Sequence, residues 1–275
     1  MNKLTVVFWG GGAMGEAMVA GLGRSGVSMA RVRVIEVDSE RRRLLRERYG
    51  NEIVLYKEAA DDMFRGADLV VLCLKPQVAV TALHNVHLSP GQTVVSIMAG
   101  LTVATVSRLL GGHEAVVRCM PNTPARVFKS VSVYCCAPAV TAEQRAKVLL
   151  LLASLGDCRI AVADESYIDK ATGVSGSGPG FVFVIFESFM DAAVELGFSR
   201  AQAQDMTLQL FDGCVALARA APETHVAQLK NNVTSPGGTT AAGLAALEAG
   251  GLRSAIRAAI VAATRKSESM GKAKL

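Results

Sequence analysis

Apolar positions along the 275 residues fall into two regimes. In the first, short apolar runs alternate with stretches of helical periodicity. Leu4–Trp9, Val32–Ile35, Ile53–Leu55, Leu69–Leu74, Thr93–Met98, Ala115–Met120, Val131–Cys136 and Arg159–Val162 read as strands. Leu69–Leu74 is apolar without a break, as in a strand buried on both faces of a parallel sheet. Between the strands, Met14, Met18 and Leu22 predict a helix after the first. Thr102 is placed to cap another, and Thr141 with Gln144 forms a capping box ahead of a third. From about Asp164 the strands stop and only helices are predicted. These are Phe181–Leu196, a helix begun by Ser199 and Gln202 and running to about Ala220, a short one from Pro222 to near Asn232, the Ala- and Leu-rich run Ala241–Ala249, and a last from about Leu252. The expected division is therefore an α/β domain over 1–163 and an all-helical domain over 164–275. The later helices are apolar on more than one face, which predicts that the excess is buried in a homodimer or higher homo-oligomer.

The first strand runs into Gly10-Gly11-Gly12-Ala13-Met14-Gly15, which matches G-x-G-x-x-G at Gly10, Gly12 and Gly15. Alone that motif is weak. Here a strand precedes it, a helix follows, and Glu36 comes directly after the second strand, about twenty residues further on, where an acidic residue binds an adenosine ribose. Together these predict a Rossmann-type dinucleotide site of mostly parallel sheet, with NAD(P)H as cofactor. The choice of dinucleotide stays open at this level. Glu36 would repel a 2′-phosphate and favours NADH, whereas Arg41, Arg42 and Arg43 could pair with one and favour NADPH. Those arginines also read as a solvated face paired with Glu40 and Glu47. Ligands of open parallel sheets bind at the carboxyl ends of strands, so Lys75-Pro76, Ser96 and Asn122-Thr123 become candidates to line the cofactor, unless they serve simply as turns.

The other chemical feature is Val233-Thr234-Ser235-Pro236-Gly237-Gly238-Thr239-Thr240, directly ahead of a predicted helix. The first N–H groups of a helix lack internal partners, and glycines let a ligand approach them. This is a site for a small anion, carboxylate or phosphate, or else a capped inter-helix turn.

Composition narrows the classes further. Hydrophobic residues make up 51% and aromatics only 5%, which suits closely packed helices and an α/β sheet rather than an all-β fold. The net charge of +5 is modest, and the arginines cluster at 41–48 among glutamates without interleaved aromatics, which argues against a nucleic-acid partner. The six cysteines form no C-x-x-C pair, and the four histidines show metal-like spacing only at His84 and His87, so no metal is expected. The N-terminal apolar run is too short for a secretion signal, and Glu187 interrupts the run after Phe181. A cytoplasmic protein with no membrane partner is expected. Glu187 and Asp191, four apart on one helix, either bind neighbouring loops or face water.

The glycine motif, Leu74-Lys75-Pro76, Met120-Pro121-Asn122-Thr123-Pro124, Ser175-Gly176-Ser177-Gly178-Pro179 and Val233–Thr240 occur here in the order found in pyrroline-5-carboxylate reductases, and the resemblance covers nearly the whole chain. It implies a Rossmann domain followed by an interlocking helical dimerisation domain, often in rings of dimers. It also implies reduction of 1-pyrroline-5-carboxylate to L-proline by hydride transfer from NAD(P)H, with NADPH the usual choice. By matching motif, Gly10, Gly12, Ala13, Met14 and Gly15 would hold the pyrophosphate, and Lys75, Pro76 and Asn122 the nicotinamide side. Ser235, Gly238 and Thr239 would hold the substrate carboxylate, with Thr240 near the ring nitrogen as the catalytic contact. The chain departs from the family at Glu36-Val37, where many members carry Asn-Arg or Ser-Arg, and near Ala60, where many have an asparagine. Other two-domain reductases, of the β-hydroxyacid dehydrogenase or imine reductase type, place an acid in the first helical segments, where Lys170 is the candidate here. A dinucleotide-sensing scaffold is the non-enzymatic alternative.

Overall fold

The computed structural model describes residues 4–84 and 86–272. Eight strands form one sheet in the order β3-β2-β1-β4-β5-β6-β7-β8. They are β1 Val6–Trp9, β2 Val32–Ile35, β3 Val54–Tyr56, β4 Leu69–Leu72, β5 Thr93–Ser96, β6 Val116–Met120, β7 Val131–Cys136 and β8 Cys158–Ala161. All neighbouring pairs are parallel except β6 and β7. The chain thus steps outward from β1 to β3, returns beside β1 with β4, and steps outward the other way. The order reverses at β1, and that reversal opens a crevice at the strands' carboxyl ends.

Alternation along the strands divides the core between the two faces. Val6 and Phe8 of β1 pack with Met18 and Leu22 of α1 (Ala13–Arg24), Leu45 of α2 (Ser39–Tyr49) and Leu151 of a later helix. Val7 and Trp9 face the opposite layer, where Phe64 and Leu83 lie. The helices of that layer are α3 (Asp61–Phe64), α4 (Pro76–Leu83) and α5 (Val103–Leu109); α6 (Ala142–Ala153) supplies Leu151 on the first face. The expected caps form: Thr102 accepts the Thr105 N–H, and Thr141 and Gln144 make the reciprocal capping box.

After β8 the chain is helical: α7 (Ser166–Ala171), a π-helical turn Thr172–Gly176, α8 (Gly178–Glu195), α9 (Arg200–Ala220), α10 (Val226–Asn232), α11 (Thr239–Ala249) and α12 (Leu252–Lys272). Secondary structure changes type where the sequence pattern does, but compactness divides the chain elsewhere. One unit comprises 1–177 with 262–275, and the other is Gly178–Val261. The physical reason is side-chain and backbone contact. Arg118, a fully buried cation on β6, pairs with Glu165 at 3.2 Å and Asp169 at 2.7 Å at the start of the helical region. Ser267, in the last turns of α12, donates to Asp169 at 2.7 Å. Gly100, after β5, lies so close to Gly271 that a Cβ would sit 2.9 Å from the Gly271 nitrogen. Both ends of the helical region therefore belong to the sheet's unit.

Within the second unit, α8 and α9 meet through Phe186, Phe189 and Phe211, with ring centroids 4.3 and 5.2 Å apart. Phe183, Val184, Leu196 and Leu217 remain exposed. Glu187 and Asp191 are also exposed, and Asp191 pairs with Arg200 at 2.6 Å, so they lie on the wet face. Ser166–Glu195 is a 30-residue helical run that could cross a membrane by length and composition alone. Glu187 does not by itself exclude a span, contrary to the sequence expectation, because the most apolar stretch of that run stays apolar on average.

Candidate active site

The first candidate site is the corner where β1, β2 and β4 end. Gly10 has φ 109°, and a Cβ there would lie 2.6 Å from the Cys73 carbonyl oxygen at the end of β4. A Cβ on Gly15 would strike the Gly10 carbonyl. Only glycines let β1 turn this tightly and bring α1 against it. Gly12 differs: nothing lies within 4 Å of the position a Cβ would take, and it is exposed. It is also the N-cap of α1, and with no side chain it caps nothing. The first N–H groups of α1 thus face open space at the positive end of the helix dipole, a cradle of the kind that takes a pyrophosphate.

Glu36 closes the other side of the corner. One carboxylate oxygen accepts the Gly11 N–H at 2.8 Å, and the other accepts the Asp38 N–H at 2.9 Å. The side chain is fixed in place while each oxygen keeps a further lone pair for a ribose hydroxyl. Glu16, on the first turn of α1, pairs with Arg41 and Arg48. Burial alone would raise its pKa, but the two guanidinium groups outweigh that and hold it below the usual carboxylate range. These features fit a nicotinamide dinucleotide.

Three further strand ends complete this edge. Lys75 is exposed and precedes Pro76, the first residue of α4. Ser96, at the end of β5, is fully buried. Asn122, after β6, is also buried, and both its amide oxygen and its amide nitrogen are bonded. Its oxygen accepts from Ser130 Oγ at 3.1 Å and from the Val131 N–H at 3.0 Å, while Nδ2 donates to the Ser175 carbonyl at 3.1 Å. That carbonyl belongs to the π-helical turn, whose wider winding runs from the Ser177 N–H back to the Thr172 carbonyl. Asn122 thus ties β6, β7 and the start of the helical region, a structural task that its sequence neighbourhood did not reveal. Lys170 places its ammonium 4.0 Å from the centre of the Tyr167 ring. That contact gives it no proton-transfer partner.

A second candidate site lies in the helical unit, within Gly178–Val261. α10 ends at Asn232, and Thr234 folds back to its carbonyls, with Oγ1 donating to the Lys230 carbonyl at 2.7 Å. A turn from Ser235 to Gly238 follows, closed by the Gly238 N–H to the Ser235 carbonyl at 3.1 Å, with Gly237 at φ 70°. Gly238 is the N-cap of α11 and provides no side-chain cap. Any Cβ on Gly238 would displace the Ser235 hydroxyl. The hydroxyls of Ser235, Thr239 and Thr240 make no hydrogen bond among the described residues, so the capped-turn alternative lacks the bonds it requires. The loop presents free hydroxyls beside free helix-start N–H groups.

Sequence reasoning missed the Arg118, Glu165 and Asp169 cluster. The available signal was a lone cation inside the otherwise apolar Ala115–Met120 run.

Comparison with known proteins agrees with this geometry. The family described as pyrroline-5-carboxylate reductase dimerisation matches residues 165–270, and the family described as NADP oxidoreductase, coenzyme F420-dependent, matches residues 5–100. A pyrroline-5-carboxylate reductase of Corynebacterium melassecola is 35% identical over 98% of this chain and 99% of its own length. One of Pisum sativum is 34% identical over 98% of this chain and 97% of its own. The crystal structure of Plasmodium falciparum pyrroline carboxylate reductase with NADP bound superposes with a TM-score of 0.87 at 29% identity, covering 98% of this chain and 99% of that one. A glycine cradle open to a dinucleotide, a helical dimerisation region and end-to-end similarity to these enzymes converge: the chain belongs to the pyrroline-5-carboxylate reductase family.

Proposed function

We propose that the chain reduces the C=N bond of 1-pyrroline-5-carboxylate to give L-proline, the last step of proline biosynthesis, with the substrate gripped by the Ser235–Thr240 loop. The observation that carries this assignment is the set of three unpartnered hydroxyls beside an uncapped helix start. When bound, NAD(P)H supplies the hydride for the C=N carbon. The N–H groups at the start of α11, with Ser235 and Thr239, hold the substrate carboxylate, whose charge the helix dipole favours. The Thr240 hydroxyl hydrogen-bonds the ring nitrogen, on which the protonated imine's positive charge is lost as the C–H bond forms. No His–Asp or Lys–Tyr pair is needed. An iminium is already electrophilic, and much of the acceleration comes from holding the ring in line with the hydride donor.

Gly10, Gly12, Ala13, Met14 and Gly15 hold the pyrophosphate, Glu36 the adenosine ribose, and Lys75 and Pro76 the nicotinamide side, where Asn122 acts by fixing the end of β6. The exposed apolar residues of α8 and α9 serve a homodimer, assembled into larger rings in the cytoplasm, rather than a lipid contact. The dimerisation family match over this region supports that reading. Steady-state kinetics of Thr240→Ala test the loop assignment. The expected result is a fall in kcat/KM of roughly 10²-fold, with the far-ultraviolet spectrum intact. An unchanged kcat/KM would remove the role given to Thr240.

A further inference from the structure

We infer that the corner between β2 and α2 refuses a 2′-phosphate, so that this chain takes NADH in preference to NADPH. The inference rests on the reductase reading and specifies the cofactor of the same site.

The two helix starts at this corner are built in opposite ways. α1 begins at Gly12, with no side chain over its N–H groups, and accepts an anion. α2 begins at Asp38, whose carboxylate already takes the Glu40 N–H at 2.8 Å and the Arg41 N–H at 3.1 Å. Glu40 adds a second negative charge in its first turn. The anion site that a helix start offers is therefore filled by the protein's own carboxylate.

Glu36 completes the exclusion. Its carboxylate is bonded on one side to Gly11 and on the other to Asp38, so it cannot swing away without leaving two N–H groups unpaired. Leu45 and Val34 pack beneath Gly11, where a Cβ would lie 3.2 Å from Val34 Cγ1, and this holds the loop against Glu36. A ribose hydroxyl can donate to this carboxylate. A phosphate, an acceptor carrying negative charge, can only be repelled by it.

The neighbouring arginines already bond to groups of the protein itself. Arg41 donates from Nε to the Gly11 carbonyl at 2.5 Å and pairs with Glu16. Arg42 donates to the carbonyls of Glu36 at 2.7 Å and Val37 at 2.8 Å. Arg43 is held between Glu40 and Glu47 on the solvent face.

The test is isothermal titration calorimetry of the purified full chain with NADH and with NADPH, at low and at high salt. NADH is expected to bind at least about tenfold more tightly at low salt, with the gap narrowing as salt screens the repulsion. In Glu36→Gln the ratio should shrink because NADPH binding improves. Asp38→Asn keeps a capping oxygen and removes a charge, so it should shift the ratio the same way, and it carries the test if Glu36→Gln does not fold. Equal or tighter binding of NADPH by the native chain would overturn the inference, as would an unchanged ratio in a folded variant. Binding of neither dinucleotide would overturn the reductase reading and the inference together.

Discussion

His113 shows how a single residue's surroundings fix its chemistry. Its ring is buried, and Nε2 lies 3.0 Å from the Gln92 carbonyl oxygen, an atom that can only accept, so the proton sits on Nε2. Burial lowers its pKa below the ordinary histidine value, and the Gln92 bond opposes this only in part. A lowered folded pKa means that the unfolded chain takes up the proton first as pH falls. The contribution to stability is therefore whole above about pH 6.5 and is lost as pH drops through the lower folded value. Urea denaturation between neutral and mildly acidic pH should show that decline, and His113→Gln should flatten it; an equal slope in the variant would refute the assignment. The same dependence on surroundings decides which residues of the site were legible beforehand. Glu36 could be placed from spacing alone, because the distance from the glycine motif to the end of the second strand is set by the fold. The arginines at 41, 42 and 43 could not be assigned, because their choice between a phosphate and nearby carbonyls and carboxylates depends on rotamers that only packing selects. Asn122 was found for its place at a strand end, but one of its partners, the Ser175 carbonyl, lies 53 residues away and is brought to it only by the fold.

At the scale of elements, strands and caps were readable because their signals are local. All eight strands lie where apolar runs predicted, with ends differing by a residue or two, and Ser199 with Gln202 forms the predicted capping box on α9. Less legible was the π-helical turn at Thr172–Gly176. Its sequence is rich in small residues, with no helical signal of its own, yet it continues the helix from α7 into α8 and leaves the Ser175 carbonyl for Asn122. Nor did periodicity reveal that α7 and the end of α12 belong with the sheet. That follows from Arg118, which is 1% exposed and bonded to two carboxylates, one of which also accepts from Ser267. Removing the guanidinium would leave those carboxylates facing each other across a poorly solvated gap. Arg118→Leu should therefore lose about 3–5 kcal/mol of unfolding free energy, measured by urea denaturation. A loss below about 1 kcal/mol, the usual worth of a surface pair, would show that the cluster does not hold these elements together.

For the whole molecule, the exposed apolar residues of α8 and α9 would be a liability in a monomer. The dimerisation family match gives them a use. Light scattering at micromolar concentration should show a homo-oligomer, and Phe183→Ser combined with Leu217→Ser should weaken it; a native chain that runs strictly as a monomer would contradict this. In the proposed function the glycine cradle and the fixed Glu36 take the dinucleotide, and the free hydroxyls of the Ser235–Thr240 loop take the carboxylate of a small cyclic imine. The most direct measurement mixes the purified chain with 1-pyrroline-5-carboxylate and either reduced nicotinamide dinucleotide, following loss of the reduced cofactor's absorbance and identifying the product by mass spectrometry. The account predicts oxidation of the cofactor matched mole for mole by L-proline. A chain that binds the dinucleotide yet forms no proline from this substrate would contradict it.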